Sequence, residues 1–219
     1  MISAKCDVLR LMPAYRQSPA LRSWLSVRHS NVAELMRARV IIDGTRRRTT
    51  AGTPSKPGPQ QLDDALVLRL VTEFQGFVRD LLFEAMSKMI EGSGCLEQYR
   101  YQILSAAMEH RMIDRGNPRL DAIAADASRL GISHLRSRME ANNTRHAADA
   151  AALANLVELR NALVHDDRDK VLELSQIGVR STYSYGRRAW AVIDRHARAL
   201  DHVVWDHLAS VFPGVDPWR

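Results

Sequence analysis

Between Gln60 and Ile90, Leu62, Leu66, Leu70, Phe74, Phe77 and Leu81 recur at steps of three and four, and Val67, Val71, Val78, Leu82 and Met89 follow the same helical period. One apolar stripe would describe a surface helix. Two stripes require neighbours on more than one side, so this segment reads as the central helix of the fold. Its polar stripe holds Arg69, Glu73, Asp80 and Glu84. Gly76 interrupts that stripe at a cost of about 1 kcal/mol relative to Ala, and so predicts a close approach there. Glu91-Gly92-Ser93-Gly94 ends the helix.

The flanking segments read as helices too. One starts at Ser18 or Pro19 and runs to about Ile42, with Leu21, Trp24, Leu25, Val32, Leu35 and Met36 on its apolar side. Residues 95–141 divide into helices over about 96–114 and 118–130, broken by Gly116-Asn117-Pro118 and closed by Gly131. Asn142-Asn143-Thr144 offers caps for an alanine-rich helix from about Arg145 to Val164. Residues 166–184 are mixed, with Ser175–Val179 readable as a short strand or an irregular turn. A last helix runs from about Gly186 to Val211, where Pro213-Gly214 stops it. The expected fold class is all-α. No repeat emerges.

Charge is unevenly distributed. Residues 1–60 carry 11 Lys/Arg against 3 Asp/Glu, and residues 61–219 carry 20 against 22. The first part reads as a basic N-terminal helix plus a Pro/Gly-rich linker over 43–60, the second as a helical domain. Arg46-Arg47-Arg48 within the linker suits a polyanion such as nucleic acid, or merely keeps a connector solvated. The longest apolar runs are a few residues, as in Ala65-Leu66-Val67-Leu68, so no membrane-spanning helix is expected. The N-terminus has no signal-peptide core. With only Cys6 and Cys95 there is no disulfide framework, and a reduced, cytoplasmic protein is expected.

The chemistry concentrates at the end of the alanine-rich helix, Leu156-Val157-Glu158-Leu159-Arg160-Asn161-Ala162-Leu163-Val164-His165-Asp166-Asp167. Leu156, Leu159, Leu163 and Val164 form its core-facing stripe. Asn161 and His165 are four apart and share a face, whereas Arg160 and His165 lie about 140° apart at 100° per residue. Arg160 and His165 therefore meet only near a helix end or across an interface between two copies. An arginine grips phosphate through paired N–H donors, and an imidazole moves protons near neutral pH. Together they meet the needs of RNA cleavage without a metal: a base for the 2′-hydroxyl and a cation for the phosphate. A helix-terminal His165 bonding exposed carbonyls, with Arg160 paired to Asp166 or Asp167, would fit the same letters.

The Arg-Asn-x-x-x-His string, on a late helix after a long aliphatic one, resembles the signature of the HEPN superfamily. Glu73-Phe74-Gln75-Gly76-Phe77-Val78-Arg79-Asp80-Leu81-Leu82 is similar to the first long helix of RiboL-PSP-type members. The likeness spans roughly residues 61–211. It implies a helical bundle that dimerises with its Arg/His segments facing each other, in a toxin–antitoxin or phage-defence setting with a neutralising protein partner. Active members are endoribonucleases that need no metal or other cofactor and leave a 2′,3′-cyclic phosphate and a 5′-hydroxyl. By that resemblance Arg160 and His165 are catalytic, and Asn161 is the polar residue that often follows the arginine. Some members carry a tyrosine two residues after the histidine, where this chain has Asp167. Other members do not cleave RNA, so a non-catalytic module binding a partner protein or RNA is the alternative.

Further candidates are weaker. Glu73 could orient Arg160 or His165 if its stripe meets their helix, or pair with Arg69 one turn back. Tyr183, Tyr185, Arg187 and Arg188 form an aromatic–basic cluster suited either to stacking on an unpaired base or to anchoring a loop. His202 and Asp206 share a face four residues apart, but no HExxH or Cys/His pattern accompanies them and no metal site is expected. Phosphate-binding GxxxxGK[ST] loops, GxSxG and CxxC are absent from the sequence.

Overall fold

The computed structural model describes residues 14–46 and 59–219. Among these residues there are helices and turns and no strand. The helices are α1 (Pro19–Ser23), α2 (His29–Arg46), α3 (Pro59–Gly92), α4 (Glu97–Met108), α5 (Met112–Arg115), α6 (Leu120–Ser128), α7 (Leu135–Asn142), α8 (His146–Val164), α9 (Arg168–Gln176) and α10 (Tyr183–Val211). A π-helical turn, Trp24–Arg28, joins α1 to α2 without a break. No helix among the described residues is long and apolar enough to cross a membrane.

The double stripe of α3 does what its period demands. Leu66, Leu70, Phe74, Phe77 and Leu81 on one set, and Val67, Val71, Val78 and Leu82 on the other, are all buried. α10 lies along α3, while α1, α2, α4, α5 and α8 pack on it from other sides. Ala20, Leu21, Trp24, Val32 and Met36 enter the same core, so residues 19–46 are an integral layer of the body formed by residues 61–219.

Carboxylates fix the start of that layer. Ser18 caps α1 by accepting from Leu21 N at 2.9 Å. Asp201 accepts from Tyr15 Oη at 2.7 Å and Ser18 N at 3.3 Å, and Glu84 accepts from Ala20 N at 3.1 Å. Negative groups at this end complement the free N–H groups and the helix dipole. Gly76 is explained by the same layer. Arg28 lies across it, donating through Nη1 to Glu73 and through Nη2 to Asp80, each at 2.7 Å. A Cβ at position 76 would collide with that guanidinium.

Four expectations need correction. The helix over 96–114 is two, α4 and α5, because the chain leaves helical geometry at Glu109 and His110 takes φ +59. A further helix, α7, follows α6. Of the two readings of residues 175–179 the strand fails and the turn holds: Ser175 and Gln176 end α9, and the turn after it closes when Gly178 (φ +80) lets Val179 N reach back to Leu174 O at 3.0 Å. Val164 is also half exposed, so the inner stripe of α8 is Leu153, Leu156, Val157 and Leu159.

Candidate functional site

The end of α8 is shaped by backbone geometry. His165 is the C-cap, with φ −94 and ψ 6, and its N–H still reaches Asn161 O at 3.0 Å. Asp166 then adopts φ +49, and Asp167 N bonds back to Ala162 O at 2.9 Å. This is the left-handed helix ending that glycine usually supplies, made here by an aspartate that tolerates it. Asp167 immediately caps α9 through Lys170 N at 3.0 Å. His165 thus stands on the last turn of α8, and the chain reverses only after it.

Arg160, Asn161 and His165 line one open pocket of about 410 Å³ with Gln75 of α3, Arg115 of α5 and Asn117 of the following turn. That volume lies within the usual range of ligand pockets. Asn161 Oδ1 accepts from Asn117 Nδ2 at 2.8 Å and from Arg160 Nη1 at 3.3 Å. Asn161 therefore ties the helix to the turn and fixes one edge of the guanidinium. Gln75 Nε2 donates to Ile113 O at 2.7 Å and Gly116 O at 2.8 Å, pinning the turn to α3. Asp126 holds the other end of α5 by accepting from Met112 N and Ile113 N, both at 2.8 Å.

The electrostatics favour an anion. Arg160, Arg115 and His165 have no carboxylate partner among the described residues, so the Arg160 pairing with Asp166 or Asp167 is not made. Asp114, the one acidic residue lining the pocket, is engaged by Arg79 and Arg111. Two guanidinium groups thus face an open pocket with their charge uncompensated.

The other predicted residues lie elsewhere. Glu73 does not orient Arg160 or His165: its carboxylate takes Arg28, Asn31 Nδ2 at 2.9 Å and Arg69 at 2.6 Å. The reason is angular, since Glu73 and Gln75 stand about 200° apart on α3 and only Gln75 faces the pocket. Arg187 and Arg188 are exposed in the second turn of α10, outside the pocket. Tyr183 and Tyr185 pack against the core. Burial pushes the Tyr185 phenol up to about 12 against the pull of Arg188, which makes it a protonated anchor. Arg47 and Arg48, with the Arg46 side chain, lie outside the described residues. His202 Nδ1 meets Asp206 Oδ2 at 3.1 Å, and no cluster of three or more potential metal ligands occurs among the described residues.

Sequence reasoning missed Gln75, Arg115 and Asn117. Gly116-Asn117-Pro118 signalled a helix break, and nothing in a break says which pocket its side chains enter. No family model, curated protein or solved structure matches the chain.

Proposed function

We propose that the chain is a metal-independent endoribonuclease of HEPN type, acting as a homodimer in a toxin–antitoxin or defence setting. The observation that carries this reading is the convergence of Arg160, Asn161 and His165 on one pocket whose guanidinium groups lack acidic partners. Such a pocket holds a phosphodiester by charge and by N–H donors, and places an imidazole beside it.

In the proposed reaction, Arg160 clamps the scissile phosphate, held at one edge by Asn161. His165 takes the 2′-hydroxyl proton, the 2′-oxygen attacks phosphorus, and the bond to the 5′-oxygen breaks. The protonated His165 of the second copy supplies the leaving oxygen with its proton. The products are a 2′,3′-cyclic phosphate and a 5′-hydroxyl, and the protons balance. Charge gathering on the phosphoryl oxygens is met by guanidinium donors already in place.

End-group analysis tests this reading. Incubation with a mixed single-stranded RNA pool should yield 2′,3′-cyclic phosphate ends at a rate unchanged by EDTA. Ends carrying a 5′-phosphate, or cleavage abolished by EDTA, would contradict it. Intact RNA together with tight RNA binding would favour the non-catalytic module.

A further inference from the structure

We propose that Arg115 is a second RNA-backbone contact of this pocket, an inference that rests on the phosphodiester reading above. Most arginines of the described chain are committed to a partner: Arg28, Arg39 and Arg195 to carboxylates, and Arg129 and Arg138 to carbonyl oxygens. The Arg115 side chain is exposed and has no hydrogen-bond or ion-pair partner among the described residues. It shares that state with few others, such as Arg145, Arg187 and Arg188, and of these it alone lines the pocket of Arg160 and His165.

Its backbone is held firmly, which distinguishes it from a charge on a loose surface loop. The Asp126 carboxylate binds the first N–H groups of α5, and Gln75 binds Ile113 O and Gly116 O on either side of Arg115. Asn117, two residues on, is bonded directly to Asn161. Three elements, α3, α6 and α8, thus fix where this guanidinium starts. The neighbouring carboxylate of Asp114 is already taken by Arg79 and Arg111. An arginine so placed has a cation's charge and five donors available for phosphate oxygens.

The test is the salt dependence of binding to a 2′-O-methyl oligouridylate, which keeps every phosphate but cannot be cleaved through its 2′-oxygen. One lost phosphate contact lowers the slope of log K against log salt by about 0.7 for a single strand. Arg115→Ala should lower the slope by that amount, Arg115→Lys should retain it, and Arg145→Ala should leave it unchanged. An unchanged slope in Arg115→Ala, or an equal fall in Arg145→Ala, overturns the assignment. Cleavage of unmodified RNA by the wild-type chain is measured alongside. A reduced slope without wild-type cleavage removes the nuclease reading and keeps the Arg115 contact. Cleavage with an unchanged slope does the reverse, and failure of the wild-type chain both to bind and to cleave removes both.

Discussion

Arg28 decides what position 76 can hold. Burial opposes its charge, yet the hydrogen bonds it donates to Asp80 and Glu73 outweigh that and hold the guanidinium above its ordinary pKa. Replacing Gly76 by Ala should gain about 1 kcal/mol of helix propensity and lose a comparable or larger amount by displacing Arg28. In the wild-type background the substitution should therefore be neutral or destabilising. In an Arg28→Ala background it should stabilise by about 1 kcal/mol. Urea unfolding of the four chains gives the coupling directly, and an identical effect in both backgrounds would show that Arg28 does not occupy the space. Gly76 was recognisable in the sequence as a break in a polar stripe. Its partner was not, because Arg28 approaches from a helix whose contact with α3 no local pattern specifies.

At the scale of elements, α8 is held to α10 by charge as well as by packing. Arg195 donates to both oxygens of buried Asp149 at 2.7 Å, and Asn143 adds a third hydrogen bond at 3.0 Å. Burial pushes the Asp149 carboxyl up, but these bonds prevail and hold it below its ordinary pKa. Removing Arg195 should cost about 2–3 kcal/mol, less than for a wholly buried pair because Arg195 is about one-third exposed. Next to it, burial holds the His196 imidazole below its usual pKa. The unfolded chain then takes up a proton at His196 first, near pH 6.5, so this stability is full above that value and falls as the pH drops below it. The Asp149 contribution persists to about pH 3.9 and is lost below it. Denaturant midpoints between pH 7.5 and 5 should decline, and His196→Leu should shrink that decline. A decline of the same size in His196→Leu would refute the assignment.

The long elements were legible because periodicity survives in sequence over many turns: α3, α8, α10 and the α1–α2 layer all fall close to their expected bounds. The short ones were not. α5 has one helical turn, α7 barely two, and each depends on a partner distant in sequence, as α5 does on Asp126. The site shows the same division. Arg160, Asn161 and His165 were readable as one motif, and the need for either a helix end or an interface between two copies followed from a 100° step. What completes the pocket comes from residues 75, 115 and 117, brought there by tertiary packing.

For the whole molecule, the proposed reaction requires two copies. Sedimentation at micromolar concentration should then give twice the chain mass. A monomer at concentrations that cleave RNA would remove the second histidine from the proposed reaction. The most direct measurement is single-turnover cleavage of single-stranded RNA by the wild-type chain, Arg160→Ala and His165→Ala, with circular dichroism confirming unchanged helix content. The account predicts a loss of at least about 100-fold in each variant. Cleavage within a few-fold of wild type in both would contradict it.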